Sequence, residues 1–432
     1  MLELVSNFEQ EIKFITGFAG SGKSTKLAEL ATKTTLILTP THKAAAVLMA
    51  KGVENVYTIH ATLNLVPTLN QNFDPRKGHR MQKLKRIGST DLDSIEEVFI
   101  DEFSMINQEI LDLLLEVLPA STKVTVFGDP YQLPPVDGEA IDPLIYTDVI
   151  EELSTQYRAE APEVVETFMR FMNYIKDGRG PDLSMNPAIK HGTLKGFNPL
   201  TDRVLAYTNK RVNELNNEVA DILEVQREFY HLDDLIANQI NCIFISDTDK
   251  ELQMLFPNCI SKGKLMEKKK LEDIAHQTVK DIIKYNNKHH TNYESGIIKI
   301  EDKYYTIYYD RDHYHTQKRL KAEVEKWQAY VYNNNEVPED MKLKDWCYHN
   351  KGAEGVRERG KAWSHYIAHS NLVFSLQRPW ATTIHKSQGS EFSTVYIAQT
   401  DIKKSIRQGY YMNYARLMYV ALSRAINKVV II

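Results

Sequence analysis

The stretch Gly17-Phe18-Ala19-Gly20-Ser21-Gly22-Lys23-Ser24-Thr25 limits more than any other what this chain can fold into. It satisfies the pattern G-x-x-x-x-G-K-[ST], with Gly17, Gly22, Lys23 and Ser24 at the defining positions. Ile12–Thr16 before it has the composition of a short apolar strand, and Lys26–Ala31 after it that of a helix. In a strand, glycine-rich turn and helix start, backbone N–H groups and the helix dipole converge on phosphate. Gly17, Gly20 and Gly22 let the backbone approach the phosphates, and Ser21 and Thr25 complete the cradle. Lys23 is expected to reach the β- and γ-phosphates, and the Ser24 hydroxyl to ligate Mg²⁺. The expected ligand is a nucleoside triphosphate.

A chain of 432 residues has room for two to four domains, each with its own core. Hydrophobic residues at 43% and charged residues at 25% fit a folded soluble protein. The N-terminal Met1-Leu2-Glu3-Leu4 has no basic region or long apolar stretch, so no secretory leader is expected. No apolar run approaches the ~20 residues that span a bilayer, so no membrane partner is expected. Cys242, Cys259 and Cys347 are odd in number and far apart, which suits a reducing cytoplasm (the host's, for a viral chain) better than disulfides or zinc. A net charge of −4 excludes a generally basic nucleic-acid coat but leaves room for a local basic channel. Arg76, Lys77, Arg80, Lys83, Lys85 and Arg86 form such a cluster without an intervening acid.

Taken in order, Thr35–Thr39 and Val56–His60 are further strand-like runs. Ligands of parallel α/β sheets collect at the carboxyl ends of strands, which puts Thr41, His42, Thr58 and His60 in position to touch one. Residues 64–94, with Pro67, Asn70, Asn72, Pro75 and Gly78, break the alternation and suggest a small β-hairpin with its tip near Phe73–Arg76. Ile95–Ile100 is an apolar strand ending in Asp101-Glu102. Downstream of a phosphate loop, Asp101 is expected to hold Mg²⁺ and Glu102 to orient or deprotonate the attacking water. Val124–Gly128 leads into Asp129-Pro130-Tyr131-Gln132-Leu133-Pro134-Pro135, where proline stiffens the loop that presents the Gln132 amide beside the γ-phosphate. Alternation resumes at Arg203–Leu223, stops across a polar, Tyr-rich stretch at 236–370, and returns from Trp380 to the end. No short internal repeat is apparent.

Together these motifs resemble those of superfamily 1 helicases, in the 5′-to-3′ branch (superfamily 1B) of RecD-like and bacteriophage Dda-like enzymes. Gly17–Thr25 is similar to motif I, Leu38–Ala46 to Ia, Thr58–Leu63 to Ib, Ile100–Met105 to II and Phe127–Val136 to III. Arg158 matches the motif IV arginine, Thr382–Phe392 is similar to motif V and Met418–Ala425 to motif VI. The resemblance implies an α/β fold of two RecA-like domains with ATP between them. The first is expected over 1–152 with a hairpin insertion at 64–94, the second over 153–235 and 371–432, and an accessory insertion over 236–370. It further implies Arg158 and Arg424 as arginine fingers, Glu391 at the ribose, and Gln388 and Gly389 near the phosphates. Single-stranded DNA would run past Pro40, His42, Thr58 and His60, then Thr383, His385 and Lys386, with Phe73 the aromatic of a strand-separating pin. The family's adenine-reading glutamine sits on a longer N-terminal helix; here either Gln10, seven residues before Gly17, substitutes for it or adenine selection is loose, so ATP over other triphosphates is an expectation.

The function expected from the resemblance is an ATP- and Mg²⁺-dependent DNA helicase that moves 5′ to 3′ and unwinds duplexes. It would act as a monomer on single strands and forks in replication, repair or recombination, alongside a single-strand-binding protein or replisome component. The alternatives are a translocase that strips proteins from single strands with little unwinding, and a non-catalytic nucleic-acid-binding module.

Overall fold

The computed structural model describes residues 10–71, 73, 81–88, 90–135, 138–157, 160–178, 183–224, 234–237, 242–246, 252–255, 260–269, 293–300, 303–310, 313–334, 354–372, 376–377, 380–407 and 411–432. The chain divides into two compact units. One comprises Met1–Leu63, Ser89–Arg227 and Arg378–Ile432; the other comprises Asn64–Gly88 and Glu228–Gln377.

The first unit holds two wholly parallel sheets. Strands β1 (Glu11–Gly17), β2 (Leu36–Thr39), β3 (Val56–Thr58), β6 (Glu97–Ile100), β7 (Lys123–Gly128) and β8 (Ile150–Leu153) pair in the order β3-β2-β6-β7-β1-β8. Strands β9 (Arg203–Ala206), β17 (Ala381–Thr383), β18 (Phe392–Ile397) and β19 (Ala425–Ile431) pair as β17-β9-β18-β19. Parallel strands need crossover connections that cover both faces, which is why β2 and β9 are short, continuous buried runs. This is the α/β architecture expected from the alternation.

The core of the first sheet gathers Ile15, Leu27, Ile37, Leu48, Val56, Phe99 and Phe127. Around the second sheet, helix Pro162–Asp177 buries Val164, Phe168, Phe171 and Ile175 at three- and four-residue spacing, against the almost wholly buried helix Met412–Leu422. Phe18 and Ala19 of the phosphate loop belong to this second core, beside Phe168 and Tyr419. The loop thus springs from one sheet and packs into the hydrophobic core of the other.

In the second unit, β4 (Leu65–Leu69) and β5 (Gln82–Arg86) form an antiparallel hairpin. Strands β10 (Asp234–Ala237), β11 (Cys242–Ser246), β12 (Leu252–Leu255), β13 (Ile260–Lys269), β14 (Tyr293–Ile300), β15 (Lys303–Asp310) and β16 (Leu376–Gln377) make a sheet in the order β12-β11-β15-β14-β13-β10-β16. Two long helices, His313–Asn334 and Glu354–Leu372, accompany them.

These helices correct the reading of Phe73. It is 1% exposed, clustered with Leu69, Met81, Val324 and Ala362 and flanked by Trp327, Trp363 and Tyr366. Gln328 Nε2 donates to the carbonyls of Gln71 and Phe73 at 3.2 and 2.9 Å, and Arg359 donates to Gln328 and Gln71 side-chain oxygens at 2.7 and 2.9 Å. Phe73 is therefore a core residue fastening the hairpin to the helices, because burying an aromatic ring outweighs any benefit of leaving it bare. Lys83 and Lys85 of the basic cluster stay exposed on β5, and Arg76, Lys77 and Arg80 lie outside the described residues.

Candidate functional site

The phosphate loop occupies the carboxyl end of β1 and opens helix Lys23–Leu30. A Cβ on Gly17 would come within 2.5 Å of Ser21 Oγ and 2.7 Å of the Leu153 carbonyl, so only glycine fits there. Gly22 has φ +88°, a left-handed turn that caps the helix. Lys23 Nζ donates to the Gly17 and Phe18 carbonyls at 2.7 and 2.9 Å, which curls the ammonium over the hollow of the loop. Ser24 is half-buried in the first turn, and Thr25 is exposed with its amide bonded to the Gly22 carbonyl at 3.1 Å.

Two strands away, β6 delivers Asp101 and Glu102 at its carboxyl end. Burial, and then the neighbouring Glu102 charge, push the Asp101 carboxyl up to about 7, against the opposing pull of the Glu102 amide and Lys23. Asp101 Oδ1 accepts the Glu102 amide at 2.9 Å. Glu102 itself has φ 55°, a left-handed conformation costing about 1 kcal/mol in a non-glycine residue. Its Oε2 is buried without a hydrogen-bond partner among the described residues. A buried Asp101 carboxylate and a buried, unpartnered Glu102 oxygen, with Ser24 on the first turn of the helix after the phosphate loop, are oxygen donors of the kind that suit a divalent cation. Among the described residues no cluster of three or more His, Cys, Asp or Glu side chains could hold a metal by itself.

The second sheet reaches this site through side chains. Gln132 Oε1 accepts from Gln388 Nε2 at 3.2 Å, both residues being buried. Gln132 Nε2 donates to Asp129 Oδ2 at 3.4 Å. Asp129, fully buried, also accepts from the Tyr419 hydroxyl at 2.7 Å and from the Tyr131 amide at 2.9 Å. Tyr419 accepts in turn from the Ala19 amide of the phosphate loop at 2.8 Å. Arg416 donates to the Pro130 carbonyl at 3.0 Å and also to the Gln132 carbonyl. Arg424 is 2% exposed, and its guanidinium donates to the Val420 and Ser390 carbonyls and Ser423 Oγ at 3.2, 3.3 and 2.9 Å. Gly389 has φ +73°, and Glu391 is exposed. Arg158 lies outside the described residues.

Gln10 sits elsewhere. It precedes β1 at the end opposite Gly17, roughly 20 Å away at ~3.3 Å per residue. Its Nε2 is spent on the Leu115, Leu118 and Pro119 carbonyls at 2.9, 3.0 and 3.4 Å. Gln10 therefore caps the carbonyls at the end of helix Gln108–Val117 and has no route to a base at the phosphate loop. Tyr157 does: it is 75% exposed, its ring lies 3.6 Å from where a Gly22 Cβ would be, and its amide donates to the Gly20 carbonyl at 2.9 Å. Its adjacency to Arg158 was the only signal of it in the sequence.

The strand ends carry a repeated turn. β3 ends at Thr58 and runs on into Ile59-His60, and β17 ends at Thr383 and runs on into Ile384-His385, each strand at the edge of its sheet. Thr58 Oγ1 accepts the Ala61 amide at 3.3 Å and Thr383 Oγ1 the Lys386 amide at 3.4 Å, while Ile59 and Ile384 are buried. Burial lowers the pKa of His60 and His385 alike, and His42 lowers that of His60 further. Burial also lowers the pKa of His42 and of Lys386. One strand inward, Pro40-Thr41-His42-Lys43 after β2 corresponds to Tyr207-Thr208-Asn209-Lys210 after β9, each threonine capping the next helix. Lys43 Nζ donates to the Lys386 carbonyl at 3.0 Å, so the two rows adjoin. Tyr207 and Asn209, not singled out in the sequence, follow from this equivalence.

Family models match this chain at both ends, and the one at the carboxyl end is that of a helicase domain. Residues 3–138 match the family model of an AAA domain, and residues 379–432 that of a UvrD-like helicase C-terminal domain. An uncharacterized protein of Acanthamoeba polyphaga mimivirus is 30% identical over 192 residues, covering 39% of this chain and 37% of its own length. An uncharacterized protein of Methanocaldococcus jannaschii is 24% identical over 461 residues, covering 99% of this chain and 37% of its own. The chain therefore spans little more than a third of these curated relatives. A crystal structure of Bacteroides Pif1 bound to ssDNA covers 100% of this chain and 91% of its own at 19% identity, with a TM-score of 0.49. One of Candida albicans Pif1 helicase covers 98% and 91% at 16% identity, with a TM-score of 0.45. Among the described residues no helix is long and apolar enough to cross a membrane.

Proposed function

We propose that this chain is an ATP-driven DNA helicase that moves along single-stranded DNA 5′ to 3′ and unwinds duplexes ahead of it. The observation that carries the reading is the docking of the phosphate loop into the second sheet's core, with Gln132 meeting Gln388 there. Hydrolysis in the first sheet then alters a contact with the second, as a motor requires. Lys23 moves from its own loop carbonyls to the β- and γ-phosphates, and the loop amides hold them. Ser24 and Asp101 would hold Mg²⁺, which would supply positive charge to offset that of the phosphates. Glu102, with an unpartnered buried oxygen, orients the attacking water. Arg424, and Arg158 beside it in role, stabilise the transferring phosphoryl group. Tyr157 offers an exposed ring face to the base, which selects for an aromatic base more than for adenine.

The rows Pro40, His42, Thr58, His60 and Tyr207, Asn209, Thr383, His385, Lys386 form the single-strand track. Their polar groups suit phosphate and sugar, so binding is salt-sensitive and nearly blind to sequence. Paired 5′-tailed and 3′-tailed duplexes with ATP and Mg²⁺ test this. Unwinding of the 5′-tailed duplex is expected, and Lys23→Ala should abolish it together with DNA-stimulated hydrolysis. Preference for the 3′ tail, or full unwinding by Lys23→Ala, would sink the proposal.

A further inference from the structure

The Tyr419 phenol sits where three distant stretches of the chain meet. A carboxylate can only accept, so the hydroxyl gives its proton to Asp129 Oδ2 at 2.7 Å and takes the Ala19 amide on a lone pair at 2.8 Å. Burial, and then the Asp129 carboxylate, push the phenol well above its ordinary value and keep it neutral, the form that can do both. Its ring is held edge-on by Tyr131 at 6.3 Å and Phe168 at 6.0 Å. Gln156 Nε2 donates to the Ala19 carbonyl at 3.2 Å, so the Ala19 peptide is gripped at both ends. The Asp129 oxygen that binds Tyr419 also accepts from Gln132, whose own oxygen is taken by Gln388. Gln132 is thus held by groups it must release to turn toward a γ-phosphate.

We infer that Tyr419 is a positioning residue that couples the phosphate loop to Gln132 through Asp129, so that the site recognises the transferring phosphoryl group only when the loop is in register with the second sheet. When Gln132 swings away, the Tyr419 bond keeps Asp129 satisfied and tied to Ala19. Without the hydroxyl, Gln132 becomes the main side-chain donor to Asp129 and is retained there. The loss should fall on the transition state and spare ground-state nucleotide. The inference rests on the reading of the chain as a nucleotide-hydrolysing enzyme, and binding measurements separate the two.

The experiment measures affinity for ADP with Mg²⁺, alone and with aluminium fluoride as the transition-state mimic, in the full chain and in Tyr419→Phe and Asp129→Asn. The wild type is expected to prefer the mimic. Tyr419→Phe should keep ADP affinity within about threefold and lose about tenfold or more of that preference. Asp129→Asn should lose part of it, and the double variant should be no worse than Tyr419→Phe alone, as for groups acting in one line. If Tyr419→Phe does not fold, Asp129→Asn, which leaves the ring in place, decides by the same ratio. A preference unchanged within about twofold, or ADP affinity falling by the same factor as the mimic's, overturns the coupling and leaves the phenol a structural prop. Wild-type protein that binds neither ligand overturns the nucleotide reading and the coupling with it, a result distinct from both variant outcomes.

Discussion

The two parallel sheets of the first unit carry the same edge turn, Thr-Ile-His, but secure the neighbouring row by different means. After β2, Thr39 Oγ1 donates to the Thr41 carbonyl at 3.0 Å, a bond between neutral neighbours. After β9, the buried Asp401 carboxylate accepts the Tyr207 and Thr208 amides at 2.9 and 2.8 Å and the Thr208 hydroxyl at 3.0 Å. Burial alone would raise the Asp401 pKa, but Lys404 and these donors outweigh it and hold the carboxyl below its ordinary value. The first sheet supplies the phosphate loop and the carboxylates; the second supplies Gln388, Arg416, Tyr419 and Arg424, which reach back or stand ready to. On the proposed reading, one set of strand ends serves the chemistry and the other the response to it.

The largest break in this division should come from Arg424→Ala, which on the proposed reading removes the second sheet's contribution to the transition state. The turnover of ATP is expected to fall by roughly 10³-fold. Nucleotide affinity, followed by fluorescent-ADP titration, should change by no more than about threefold. Equal losses in both would return Arg424 to a packing role.

Asp401→Ala probes the anchoring difference. It strips the partner from two part-buried amides, a hydroxyl and Lys404, and should cost about 3 kcal/mol in urea unfolding. Thr39→Val in the first sheet should cost about 1 kcal/mol. Comparable values for the two would erase the distinction drawn here. Because the Asp401 pKa is depressed, its contribution is present above the ordinary carboxylate range and is lost as pH falls through the folded value.

Thr58→Ala and Thr383→Ala test the equivalence of the edge turns. Each removes one capping bond, so each should cost about 1 kcal/mol and weaken single-strand affinity by a similar factor. A strand affinity that responds to one substitution alone would assign the track to that sheet.

The smallest effect is in the histidines. Burial holds His60 and His42 below the ordinary 6.5, so the folded state binds fewer protons than the unfolded chain as pH falls. Stability should be complete above that value and decline below it, more steeply through the His42–His60 pair than through His385. His60→Gln should flatten the decline by a few tenths of a kcal/mol, read from unfolding midpoints between neutral and mildly acidic pH.

Much of the site was legible because phosphate binding uses consecutive amides, and a strand ending in Asp101-Glu102 is a local event. The readings that failed did so where a distant segment intervened. Gln10 looked close to Gly17 in sequence, yet a strand turns seven residues into a long separation. Phe73 looked like an exposed hairpin aromatic, yet Val324 and Ala362 come from helices far along the chain to cover it. Tyr419 and Asp129 are 290 positions apart, and no periodicity links them.

By itself the sequence determined the parallel α/β class, the phosphate loop and the acidic pair, since each depends on residues within one or two turns or strands. Only the tertiary structure decided that Ala19 is gripped by Tyr419 and Gln156, that Gln132 is parked on Gln388, and that the two Thr-Ile-His turns are counterparts. Those contacts depend on how two sheets close over a shared core, and burial of buried polar groups leaves them no choice but to find partners wherever the fold brings them.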